Sequence, residues 1–173
     1  MVLHGRGRTA EGVVRAAGRG ADPCRGRVDR RGAGIPAGPG GELIAWLAWH
    51  AARGEDAQVA DVAGVEQVWT AQGWADRFDL PFDRAASGYG QSTEEVGQVR
   101  ASAELLLGYY DAVAQQTAAY LQRLTESDLD VVVDERWDPP VTLGVRLVSI
   151  VGDSLQHAGQ ASYVRGMLAR ARS

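Results

Sequence analysis

One stretch of this chain dictates most of what it can fold into. Val99, Ala103, Leu106, Tyr110, Val113, Thr117, Tyr120 and Leu124 recur three or four residues apart. That spacing lines one face of a helix and no face of a strand. Ser92 and Glu95 stand just ahead of it in the pattern of a capping box, so the spacing predicts a long helix over 93–124. Two other stretches share the period. Leu43, Leu47, His50, Gly54 and Ala57 predict a helix over 42–62, stopped by Gly64. Leu143, Leu147, Ile150, Ser154, His157, Ala161, Val164 and Leu168 predict a last helix entered through Pro139-Pro140. Val131 to Val133 read as a short extended piece. Three such helices imply an all-α bundle with an apolar groove where a fourth would lie.

The segments between are unlike one another. Residues 64–91 have no period of their own but carry Trp69, Trp74, Phe78, Pro81, Phe82 and Tyr89. A connection that long and aromatic is expected to pack over the bundle. Residues 1–40 contain ten of the 22 Gly and eight Arg against three acids, whereas residues 41–173 carry ten Arg against nineteen acids. Within the front segment, Glu11 to Arg19 offers two helical turns at most before Gly18 and Gly20 break it. Arg30-Arg31 lacks the apolar stretch an export signal needs. The front therefore reads as a disordered tail or as a product of a misassigned start or shifted frame, and residues 41–173 as the domain.

Composition narrows the function. No run approaches the roughly 18 apolar residues of a membrane span. The single cysteine, Cys24, excludes an internal disulfide framework and has no neighbouring base to activate it. All 18 basic residues are Arg, and Asn is absent, which marks a GC-rich gene because Lys and Asn have A-rich codons. The Arg-rich front lacks interleaved aromatics on which bases would stack, and the acidic body repels phosphates, so nucleic-acid binding is disfavoured. Gly88-Tyr89-Gly90 has no strand before it and is no phosphate loop.

Three histidines are present, and two of them, His50 and His157, fall on the seams of different helices. Asp153 precedes His157 by four residues and projects from the same side. Two imidazoles and a carboxylate converging in a bundle form a three-ligand site with open positions, suited to Zn²⁺ and also to Fe²⁺ or Ni²⁺. The competing reading makes both histidines hydrogen-bonded core residues and Asp153–His157 a plain helical pair. Arg53, Glu55 and Asp56 read as a solvated face, or alternatively as partners that orient an imidazole. Gln160, one turn past His157, is placed to hydrogen-bond a ligand or water.

Several of these stretches are familiar. Trp46-Leu-Ala-Trp49-His50-Ala-Ala-Arg53-Gly-Glu55-Asp56, Val68-Trp-Thr-Ala-Gln-Gly-Trp-Ala-Asp-Arg-Phe and Trp137-Asp-Pro-Pro-Val-Thr-Leu-Gly-Val-Arg-Leu resemble the DinB-like superfamily. So does Asp153-Ser-Leu-Gln-His157-Ala-Gly-Gln160-Ala-Ser-Tyr163-Val-Arg165-Gly. The likeness is to its actinobacterial group related to the mycothiol-dependent maleylpyruvate isomerase domain, over about residues 41–170. It implies a DinB-like four-helix bundle whose first helix is here degenerate or missing, often a homodimer. It also implies a divalent metal held by His50, Asp153 and His157. Asp153 stands where relatives carry His or Glu. The implied activity is that of a cytoplasmic, metal- and thiol-dependent transferase or isomerase. Its partners would be mycothiol and an electrophilic small molecule, with the Trp69–Tyr89 loop lining the pocket. The alternative is a non-catalytic helical binding protein with core histidines.

Overall fold

The structure, a computed structural model, describes residues 39–171. The expectations for His4, Glu11–Arg19, Cys24 and the rest of the front through residue 38 lie outside the described residues. The described residues begin with α1 (Pro39–Ala63), followed by the one-turn helices α2 (Val68–Ala71), α3 (Trp74–Phe78) and α4 (Thr93–Val96). Next come the long α5 (Ala103–Leu121) and a 3₁₀ turn (Glu126–Asp130). A small antiparallel ribbon of β1 (Val132–Asp134) and β2 (Val141–Thr142) then leads into α6 (Leu143–Arg170). The fold is all-α apart from that ribbon. Among the described residues no helix is long and apolar enough to cross a membrane.

α1 is the central element, packed against α6 on one side and α5 on the other. It runs antiparallel to α6 in a register that three contacts fix. A Cβ on Gly40 would fall 2.6 Å from Leu168 Cδ2. Gly54 faces Asp153, and Arg146 donates to Gln58 Oε1 at 3.3 Å. α1 begins at Pro39, three residues before the predicted start. Proline at a first helical position loses no hydrogen bond, and glycine next to it admits the leucine. Val145, Val148, Leu155, Tyr163 and Met167 leave an apolar stripe of α6 exposed.

The long helix predicted over 93–124 is two helices. The capping box is real, with the Ser92 hydroxyl accepting from Glu95 N and Glu95 Oε2 accepting from Ser92 N. It caps only one turn, which ends at Gly97. Ser102 caps a second start, accepting from Leu105 N at 3.1 Å, and Val99 is fully buried in the non-helical link between them. The buried face of α5 is Leu106, Tyr109, Val113, Thr117 and Leu121, so Tyr109 occupies the core position assigned to Tyr110. At the far end the proline pair does not open α6; Thr142 caps it, two residues beyond Pro140.

The aromatic connection packs as expected, with Trp69, Trp74 and Phe78 joining Trp49 and Tyr109 in one core cluster. Tyr89 is the exception, 94% exposed. The cavity among Trp49, Trp69, Leu80 and Phe82 measures about 30 Å³, room for a water and for no substrate. These aromatics are core, and the expectation that this whole loop lines a pocket is too broad.

Its anchor is the pair read as a solvated face. Arg53 and Asp56 are buried, at 0% and 1% exposure. Asp56 accepts from Val68 N, Trp69 N and the Tyr109 hydroxyl, each at 2.8 Å. Arg53 donates to Gln67 Oε1 at 3.0 Å and to the Ala86 carbonyl at 3.2 Å, with its guanidinium 4.9 Å over the Trp69 ring. Burial pushes the Tyr109 hydroxyl far above its usual range, keeping it a neutral donor. Replacing Asp56 by Ala strips the partner from a buried cation. The expected loss is about 3–5 kcal/mol of unfolding free energy in urea titrations.

Glu55, beside this pair, accepts from the Thr117 hydroxyl at 2.7 Å. Burial, with a smaller push from Asp56, raises its carboxyl above the ordinary 4.5. A carboxyl raised in the folded state resists ionisation there, so its cost grows as pH climbs above the unfolded value. Glu55→Gln is therefore expected to be more stable than the parent at neutral pH, with the advantage fading as pH falls toward 4.5. Paired thermal melts across that range test this.

Candidate metal centre

The α1–α6 register brings His50 level with Asp153 and His157. One ligand atom from each lies within 4.8 Å of the other two. The imidazole centroids are 4.7 Å apart with planes at 76°, and His157 Nε2 is 3.4 Å from Asp153 Oδ1. All three side chains are half-buried, and Asp153, at 44% exposure, keeps the cluster open to solvent. Gly54 faces Asp153 Oδ2, which lies 3.6 Å from where a Cβ would stand, an ordinary contact distance.

The ring nitrogens are sorted by their neighbours. His157 Nδ1 pairs with Gln160 Oε1 at 2.8 Å, and His50 Nδ1 with the Ser87 carbonyl. Each acceptor fixes the proton on Nδ1 and leaves Nε2 as the nitrogen available to a metal. Trp46, one turn before His50, stacks on it at 4.7 Å with planes 15° apart and meets His157 edge-on at 6.2 Å. Two imidazoles and one carboxylate form the donor chemistry of an open Zn²⁺ site, and they suit Fe²⁺ or Ni²⁺ as well.

The structure thus brings together all three residues singled out in the sequence and turns Gln160 toward His157. It does not bring Arg53, Glu55 or Asp56 to the imidazoles; their bonds go to the connecting segment and to α5. What sequence reasoning missed is the backbone strap of residues 86–91 over His50. Its one visible signal is the pair of glycines at 88 and 90, both with positive φ.

Helical bundle and site together define a DinB-like protein. A family profile described as mycothiol-S-transferase matches residues 29–169, and the chain belongs to that family. A solved crystal structure, described as a conserved protein of a locus from Enterococcus faecalis, is similar at 28% identity and a TM-score of 0.77. The match covers 91% of this chain and 95% of that one. No curated protein matches the chain.

If Gln160 orients His157, Gln160→Ala is expected to weaken Zn²⁺ binding by roughly 10–100-fold. Gln156→Ala removes a neighbour that bonds the Gly152 carbonyl instead and is expected to leave binding unchanged. Competition against a chromogenic chelator measures both.

Proposed function

We propose that the chain is a metal- and thiol-dependent enzyme, a transferase or isomerase in which mycothiol acts on an electrophilic small molecule. The observation that carries this reading is the convergence of His50, Asp153 and His157 at one open edge of the α1–α6 seam, in a member of the mycothiol-S-transferase family. His50, Asp153 and His157 would hold a divalent ion, Zn²⁺ in the first instance. Such an ion lowers the pKa of a coordinated thiol, which makes thiolate available at neutral pH.

The chain's own residues supply the rest. Three protein ligands leave a coordination position for sulfur. Asp153 offsets part of the ion's charge, and Gln160 and the Ser87 carbonyl hold the rings in place. Trp46 walls one side of the cluster, and exposed Tyr89 is part of the strap. Trp46, rather than the buried Trp69, Trp74 and Phe78, is the aromatic in contact with the cluster. The electrophile's carbon is attacked by the thiolate, forming a C–S bond. In a transfer the bond to its leaving group breaks, and in an isomerisation the thiol is later expelled.

The non-catalytic alternative keeps His50 and His157 as hydrogen-bonded core residues. Its weakness is the half-exposed carboxylate against the two rings, which such a core does not require. Metal analysis separates the two readings. The enzyme reading expects one metal per chain and mycothiol conjugation to a halogenated aromatic electrophile, both lost in His157→Ala. A metal-free purified protein that also takes up none on titration, or conjugation unaffected by His157→Ala, would overturn it.

A further inference from the structure

The geometry assigns to Gly88 the role of a positioning residue for His50: the missing side chain at 88 lets the strap carbonyl reach the imidazole and aim it. This rests on the metal reading of the cluster and goes beyond it, because Gly88 offers no ligand atom of its own.

Three residues of α1, spaced four and three apart, face the strap. Trp46 Nε1 donates to Gln91 Oε1 at 2.7 Å, His50 Nδ1 donates to the Ser87 carbonyl, and Arg53 Nε donates to the Ala86 carbonyl at 3.2 Å. The strap is thus laced to one face of α1 at three points, with the metal-facing imidazole as the middle point. Gly88 is buried beneath it. A Cβ built there would stand 2.5 Å from His50 Nδ1, and 3.1 Å from both His50 Cγ and Trp49 Cζ3. The ring has little room to give way. Trp46 covers its face, and the indole of Trp49 is in the packed core. A side chain at 88 must break the Nδ1 bond to Ser87 or turn the ring, and either takes Nε2 off its aim.

Gly90 provides the control. Gly88 and Gly90 both have positive φ, +96° and +73°, so alanine at either carries a backbone cost. A Cβ at 90 meets nothing within 4 Å. A merely structural glycine predicts like effects at the two positions, and a positioning one predicts unlike effects on metal affinity.

The test titrates the full chain with Zn²⁺ against a chromogenic chelator and melts each apo protein. Gly88→Ala is expected to weaken Zn²⁺ binding by roughly 10–100-fold, the range for losing an outer partner of a metal-bound histidine. Gly90→Ala is expected to bind as the parent does, with a lower melting temperature. Gln91→Ala adds no atom and leaves φ untouched, yet frees one end of the strap. It is expected to weaken Zn²⁺ binding in the same direction, and it decides the matter should Gly88→Ala not fold. Parental affinity in Gly88→Ala, or in Gln91→Ala where Gly88→Ala does not fold, overturns the assignment while leaving the metal site standing. Equal affinity losses in Gly88→Ala and Gly90→Ala overturn it too. A parent that binds no Zn²⁺ overturns the metal reading itself and this inference with it.

Discussion

The rest of the molecule hangs on a charge pair that a soluble protein usually keeps wet. Arg53 and Asp56 sit one turn apart in the middle of α1, both fully buried. Removing two ions from water costs several kcal/mol each unless nearly every lone pair and N–H finds a partner. Asp56 meets that demand with two backbone amides at the start of α2 and the Tyr109 hydroxyl of α5. Arg53 meets it only in part: Nε and Nη1 reach the Ala86 carbonyl and Gln67 Oε1, while Nη2 is buried without a hydrogen-bond partner and the guanidinium lies over the Trp69 ring. All of these partners except Tyr109 belong to a connection with no strand or long helix of its own. The pair is what ties this 28-residue aromatic connection, residues 64–91, down as a fixed lid on the bundle, because other placements would strip both ions of these partners.

The consequence reaches the cluster of His50, Asp153 and His157 through α1. Arg53 holds Ala86, His50 holds Ser87 and Trp46 holds Gln91, so one helix face fixes the core of the lid and the orientation of a ligand ring. α6 brings the other two donors. Its antiparallel register along α1, set by glycine at 40 near one end and by the Arg146–Gln58 bond near the other, decides that residue 50 meets residue 157 and not a neighbour one turn away. The site is precise because two long, rigid helices carry all three donors, and the one loop that touches it is pinned on either side of the contact.

How much of this could be read in the sequence differs by feature, for physical reasons. The three helices were legible because their apolar period is long and regular. His50, Asp153 and His157 were legible because a polar group on an apolar seam stands out, and a four-residue spacing puts Asp153 and His157 together on any helix. The break before α5 was not legible: Ser92–Glu95 is a true capping box, and nothing local says that its helix lasts one turn. Gly97 and Ser102 carried that information, but Val99, buried in the link, kept the apolar period running through it. Arg53 and Asp56 were misjudged because binary patterning assigns charges to solvent, and only the donors and acceptors of a distant segment could say otherwise.

Glycine had two meanings here that the sequence alone does not separate. Gly64, Gly73 and Gly90 adopt positive φ with open space around them, so each is selected by its own backbone. Gly88 adopts positive φ and is also crowded by a ring 38 positions earlier in the chain. Gly40 is helical, so backbone conformation does not require glycine there; its missing side chain admits Leu168. At the His50 ring the glycine that matters is Gly88, defined by what a Cβ would touch. In a bundle built on two rigid helices, such an absence of side chain is how the packing leaves a ring its place, just as the buried charge pair is how it fixes the lid.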